Sequence, residues 1–232
     1  MIEEPPVLTL CRPKRRPTEA QIAAFRGVPT GFVCDAMEGR GALSASIAPI
    51  GDGRDMSCVA AGPALTALNR PSDILATLGA LHLVQPGDVV VAAFGGHQGC
   101  AAAGDIVMGM MKNAGAAGFV TDGPMRDYLG IVRVGLPAWC TGLTPNSPCA
   151  KGPGSVGAQV DLGGQRVESG DMIVADRDGV VVVPFVRIDE VIGRIAHVRA
   201  LEDELEAKVA DGFCEAVDLD GMIADGRAVF VD

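Results

Sequence analysis

Residues 89–127 read VVVAAFGGHQGCAAAGDIVMGMMKNAGAAGFVTDGPMRD, and the fold turns on this stretch. The apolar run Val89 to Phe94 follows the turn Pro86-Gly87-Asp88 and has the length of one buried strand. After the glycine-rich segment Gly95 to Gly104, Asp105 opens a different pattern. Ile106, Val107, Met110 and Met111 repeat at helical spacing, while Gly109, Ala114 and Ala116 add little bulk, so this helix should lie close on a sheet. Gly115 and Gly118 bracket its exit into a second apolar run, Phe119-Val120-Thr121. Strand, loop, helix and strand make a βαβ unit, which implies parallel pairing and an α/β fold. In such sheets ligands bind beyond the carboxyl ends of the strands. The Gly95 to Gly104 loop and the Asp122 to Asp127 loop both leave from those ends, and they are expected to meet in space.

Working outward, Thr18 with Gln21 makes a capping-box start for a short helix carrying Ile22 and Phe25. A second helix start is expected at Thr30 after Pro29, a strand over Gly62 to Leu68, and a helix capped by Ser72 or Asp73 that carries Ile74, Leu75, Leu78 and Leu81. Beyond Asp127 the strand candidates are Pro137 to Cys140, Ser155 to Leu162, Met172 to Ala175 and Gly179 to Val183. Asp176-Arg177-Asp178 joins the last two as a hairpin. From Pro184 the spacing of Ile188, Val191, Ile192, Ile195, Val198, Leu201, Leu205 and Val209 predicts one long amphipathic helix, long enough to reach a neighbouring subunit. No linker or low-complexity segment divides the chain, so residues 1–232 are read as a single domain.

Composition narrows the function. The 232 residues are 48% hydrophobic, enough for a continuous core, and no apolar run approaches the roughly 20 residues that span a bilayer. A formal charge of −10 argues against a nucleic-acid surface, which needs clustered cations. The short basic run Arg12, Lys14, Arg15 and Arg16 is expected to be a solvated tail. Any anionic substrate must therefore be captured locally, by an arginine, a metal ion or a helix N-terminus. The N-terminus lacks the order of a secretory signal, and the seven scattered cysteines include no C-x-x-C pair, so a cytoplasmic protein with reduced thiols is expected.

Asp105 stands at a helix start, where its side chain can cap backbone amides; the same helix start also offers free N–H groups to a substrate carboxylate. Arg126 can hold a carboxylate bidentately, and Asp127 offers the hard oxygen that Mg²⁺ or Mn²⁺ prefers. From residue type alone, an Arg-Asp pair on a loop such as Arg126-Asp127 is more often an ordinary surface ion pair. His97 can be a base or ligand but lacks a second ligand nearby in sequence. Cys100 reads as a buried thiol, and no lysine lies in an apolar strand where desolvation would activate it for Schiff-base chemistry. A dinucleotide reading with Asp122 as the ribose acid fails at Phe94, which stands where G-x-G-x-x-G needs its first glycine.

Gly104-Asp105, then twenty residues, then Arg126-Asp127 resembles the signature of the RraA-like family of class II pyruvate aldolases, which includes 4-hydroxy-4-methyl-2-oxoglutarate aldolases. The similarity extends through Pro29-Thr30-Gly31 to Asp35-Ala36, Gly62-Pro63-Ala64, Pro86-Gly87-Asp88, and Gly170-Asp171 to Pro184. The resemblance implies an α/β sandwich related to swivelling phosphohistidine (β/β/α) domains. It also implies a lyase dependent on Mg²⁺ or Mn²⁺ that cleaves a 4-hydroxy-2-oxo acid to pyruvate and a second oxo acid, often with oxaloacetate decarboxylation. In that reading Asp127 binds the metal directly, Asp105 orients a metal-bound water, Arg126 contacts the pyruvyl end, and the backbone of Gly104, Asp105, Ile106 and Val107 receives the substrate. Subunits of the family form homotrimers or homohexamers with sites at interfaces, and Glu202 or Glu204 on the long helix is a candidate acid supplied across one. The family also contains regulators that bind and inhibit a ribonuclease, which is the alternative function.

Overall fold

The computed structural model describes residues 4–215 and 217–231. In chain order the elements are β1 (Leu8–Leu10), α1 (Glu19–Phe25), α2 (Thr30–Ala36), β2 (Ala48–Pro49), β3 (Ala60–Leu68), α3 (Leu75–Ala80), β4 (Val89–Ala93), α4 (Asp105–Asn113), β5 (Gly118–Thr121), α5 (Tyr128–Val134) and β6 (Ala138–Cys140). There follow β7 (Gly154–Val156), β8 (Val160–Leu162), β9 (Gln165–Val167), β10 (Met172–Ala175), β11 (Val180–Val183), α6 (Ile188–Ala210) and α7 (Leu219–Ala224). The chain divides into two compact units, Met1–Ile195 and Ala196–Asp232.

In the first unit the main sheet runs β1-β7-β3-β4-β5-β6-β2, with β10 and β11 branching from β3. β3, β4, β5 and β6 pair in parallel, Val89 opposite Gly118 and Val91 opposite Val120. The α/β fold and the βαβ unit are thus those the sequence predicts. Strand β4 is buried at every position, as a strand covered on both faces must be, and Phe94, Phe119, Trp139 and Met111 fill the layers around it. Thr18 and Gln21 form the expected capping box, and β10 and β11 form the expected hairpin.

Three expectations need correction. The run Ser155 to Leu162 is two strands, β7 and β8, because Gly157 turns the chain between them with a left-handed backbone (φ 81). Helix α5 occupies a stretch for which no element was expected. The basic run is a solvated tail only in part, with Arg12 and Lys14 exposed but Arg15 and Arg16 engaged. Arg15 pairs with Glu168 and lies 5.3 Å over the Phe185 ring, while Arg16 pairs with the buried Asp88 and donates to Pro86 O at 2.9 Å. Burying Asp88 without a cation would leave a desolvated charge, and Arg16 offsets that cost.

Asp73 ties α3 to the segment that follows β6. It is 4% exposed and accepts from Leu75 N at 2.8 Å, Lys151 N at 2.6 Å and Gly152 N at 2.9 Å, with the Cys149 thiol at 3.2 Å. Desolvation pushes its pKa up, but these donors outweigh it and hold the carboxyl below its ordinary value. A depressed folded pKa contributes stability that is present above the unfolded value, near 3.9, and is lost as pH falls through the folded one. Asp73→Ala is expected to cost about 2–3 kcal/mol at neutral pH by leaving buried amides without an acceptor. Thermal melts should show that deficit shrinking below about pH 4.

In the second unit, the part of α6 beyond Ile195 leaves Leu201, Leu205 and Val209 exposed, and Lys208 pairs with Glu204 at 2.6 Å one turn away. Among the described residues no helix is long and apolar enough to cross a membrane.

Candidate active site

The two loops that leave the carboxyl ends of β4 and β5 do meet. Ala102 N donates to Pro124 O at 2.7 Å and Arg126 N to Ala103 O at 3.1 Å. The glycine-rich loop is held at its start by Asp122, whose carboxylate accepts from Phe94 N at 2.5 Å and Gly96 N at 2.7 Å. Asp122 is therefore a loop anchor. A third segment, after β6, closes the cluster: Met125 N donates to Gly142 O and Thr144 N to Met125 O, both at 2.9 Å, while Ala101 N donates to Asn146 O at 3.0 Å.

At this junction lies a cleft of about 270 Å³ lined by Arg126, Asp127, Tyr128, Leu143, Thr144 and Pro145. Asp127 enters α5 with a left-handed backbone (φ 60, ψ 43), a conformation that costs a non-glycine residue about 1 kcal/mol and that points to its carboxylate being held where it is. Arg126 Nε lies 3.2 Å from Asp127 Oδ2, and Arg126 Nη1 donates to Ser147 Oγ. Both side chains remain partly open to solvent, 36% and 44% exposed.

Two glycines let the acids approach. A Cβ on Gly104 would lie 2.5 Å from Asp127 Oδ2, and one on Gly130 would collide with the Asp105 carboxylate. Each carboxylate thus abuts a glycine of the other's segment, which places Asp105 and Asp127 at one junction between α4 and α5. Asp105 is the first residue of α4 and Gly104 its N-cap, with no side chain capping the helix amides. The capping role allowed for Asp105 is not taken. The α4 amides stay available to an anion, and Val107 is turned into the core while Ile106 is 72% exposed, so only their backbones can serve a ligand. Gly104→Ala is expected to displace the Asp127 carboxylate and lower activity about tenfold or more, since misplacing a reacting group by about an ångström can cost up to about a hundredfold. Steady-state rates beside an unchanged melting temperature would register it.

The other sequence candidates sit apart from this chemistry. His97 Nε2 is 2.7 Å from Ser72 Oγ, and Cys100 is buried against Phe94 and Ala102. Burial pushes the Cys140 thiol up to about 11, which keeps it a neutral core group. A larger cavity, about 320 Å³, borders the N-terminal segment, but its acid Glu168 is already committed to Arg15.

No group of three His, Cys, Asp or Glu side chains among the described residues forms a closed metal cage. Mg²⁺ and Mn²⁺ do not require one: Mg²⁺ keeps several waters and takes one or two carboxylates. Two partly open hard-oxygen donors brought together over glycines fit that sparse coordination. Sequence reading passed over Tyr128, Gly130, Leu143 and Ser147. The apolar pattern from Tyr128 to Val134 ending in Gly135 was the signal for α5; the contacts of Ser147 had none.

The family model described as Aldolase/RraA matches residues 30–182, which contain both converging loops. The chain belongs to the RraA-like family. A protein of Halalkalibacterium halodurans provisionally named a 4-hydroxy-4-methyl-2-oxoglutarate aldolase is 34% identical over 190 residues, 82% of this chain and 89% of its own. Streptomyces coelicolor RraAS2, described as an unusual member of the RNase ES inhibitor RraA protein family, is 31% identical, with a TM-score of 0.70 over 83% of this chain and all of its own. An uncharacterized Pseudomonas syringae protein shares the fold, with a TM-score of 0.73 over 86% of this chain and 96% of its own at 24% identity. RraA-like chains therefore include proteins named as aldolases and proteins named as ribonuclease inhibitors.

Proposed function

We propose that this RraA-like chain is a divalent-metal-dependent carbon–carbon lyase that releases pyruvate from a 4-hydroxy-2-oxo acid and also decarboxylates oxaloacetate. The observation that carries the reading is a cleft lined by Arg126 and Asp127, with the Asp127 carboxylate against Gly104 and the Asp105 carboxylate against Gly130 at the adjoining α4–α5 junction. Asp127 would hold Mg²⁺ or Mn²⁺ directly and Asp105 through an intervening water. The bound cation would supply Lewis-acid stabilisation of negative charge on the oxygens of the 2-oxo acid.

The chain's own groups perform the rest. The Arg126 guanidinium, oriented by Ser147 and Asp127, binds the substrate carboxylate and fixes the bond to be broken. The uncapped N–H groups from Gly104 to Val107 add fixed positive charge where the pyruvyl fragment becomes anionic. Leu143 and Pro145 form an apolar wall beside the cleft, which suits a substrate with a methyl-bearing carbon.

Ile106 and Met110 on α4 and Leu129 on α5 leave apolar side chains exposed in the first unit, and in the second Leu201 and Leu205 on α6 are exposed. Covering such side chains supports assembly as a homotrimer or homohexamer, with the chain in the cytoplasm where its thiols stay reduced. Of the two candidate acids on α6, Glu204 already pairs with Lys208, which leaves Glu202 the freer one.

A screen of 2-oxo acids with added Mg²⁺ or Mn²⁺, read as pyruvate release, tests the proposal. Turnover of a 4-hydroxy-2-oxo acid or of oxaloacetate supports it. The second reading, a regulator that binds a ribonuclease, is favoured by the likeness to S. coelicolor RraAS2. Recovery of a ribonuclease in pull-downs, with no turnover of any oxo acid, would select that reading.

A further inference from the structure

Tyr128, the chain's single tyrosine, follows Asp127 directly and shares its cleft. Its hydroxyl donates to Asp55 Oδ2 at 2.6 Å, and its ring lies against Gly51, where a Cβ would collide with the phenol. Gly51 and Asp52 are both left-handed (φ 61 and φ 55), and Arg54 pairs with Asp52 at 2.5 Å. The turn from Ile50 to Asp55 is thereby shaped into a seat for one aromatic ring. It is joined to the cleft through Tyr128, whereas Arg126 is held by Ala103.

We infer that the Tyr128–Asp55 hydrogen bond over Gly51 is a positioning lock for the Asp127 carboxylate. Asp127 sits between two fixed points. On one side Arg126 N is bonded to Ala103 O; on the other the Tyr128 ring is pinned to the 50–55 turn. The left-handed backbone of Asp127 is the hinge between them, and without the second point α5 would relax and swing the carboxylate off the Gly104 face. Tyr128 is thus a positioning residue that acts through Asp127. This inference rests on the metal reading of Asp127.

Mn²⁺ affinity, read as free Mn²⁺ by electron paramagnetic resonance, should weaken about 10- to 100-fold in both Tyr128→Phe and Asp55→Ala. The double variant should be no worse than either single one, since one bond is being removed. If native protein binds Mn²⁺ and Tyr128→Phe binds it equally well, the lock is overturned while the metal reading stands. If native protein binds no Mn²⁺, the metal reading falls and the lock with it.

Discussion

Asp127→Ala is expected to lower metal-dependent turnover by about 10²- to 10³-fold or more, while the fold survives. The variant removes the hard oxygen proposed to meet the cation, and loss of one donor aimed at developing negative charge has typically that effect. Stability should change by less than about 1 kcal/mol, because the side chain is 44% exposed and its ion pair with Arg126 is a surface one. The comparison that separates chemistry from folding is kcat/KM beside the melting temperature. Asp127→Asn sharpens it: the amide keeps the shape and tolerates a left-handed backbone, yet lacks the charge that attracts a divalent ion. Equal rates for native protein and the Asp127→Asn variant would return Arg126 and Asp127 to the status of a surface pair.

The second large effect is expected at Arg126. Arg126→Ala should reduce kcat/KM about a hundredfold, equivalent to about 2.7 kcal/mol of lost transition-state stabilisation. Arg126→Lys should recover only part of this, because an ammonium supplies charge without the planar fork that engages a carboxylate through two parallel bonds. Ser147 offers an internal control. Its hydroxyl accepts from Arg126 Nη1, so Ser147→Ala should loosen the guanidinium and raise KM more than it lowers kcat. Steady-state kinetics on the three variants with a single oxo acid decide the order.

Much of the frame was legible because local chemistry agrees with the fold. Val89 to Ala93 and Gly118 to Thr121 are continuous apolar runs bounded by glycine turns, and parallel strands covered on both faces are built of such runs. Thr18 with Gln21, and the turn before Val180, carry their signals within a few residues. The convergence of the two loops followed from where parallel strands end.

What escaped lives in contacts between distant residues. Arg16 finds Asp88 across 72 positions and Arg15 finds Glu168 across 153, so two arginines of a run that looks solvated are drawn against the body of the fold. Helix α5 is short and is entered through a left-handed aspartate, so its brief apolar pattern and closing Gly135 are its whole signal, with no N-terminal cap or long stripe beside them. Gly104 and Gly130 resemble ordinary flexible positions until the opposing carboxylates are seen against them. Asp105 and Asp122 show the limit of residue type: one stands at a helix start without capping it, and the other fastens a loop.

The most direct test strips the protein of divalent ions with chelator, measures pyruvate release from a 4-hydroxy-2-oxo acid, and then adds back Mg²⁺ or Mn²⁺. The account predicts that activity disappears on stripping, returns on adding either ion to native protein, and does not return in Asp127→Ala. Full activity after complete metal removal, or restoration of Asp127→Ala to the native rate, would contradict it.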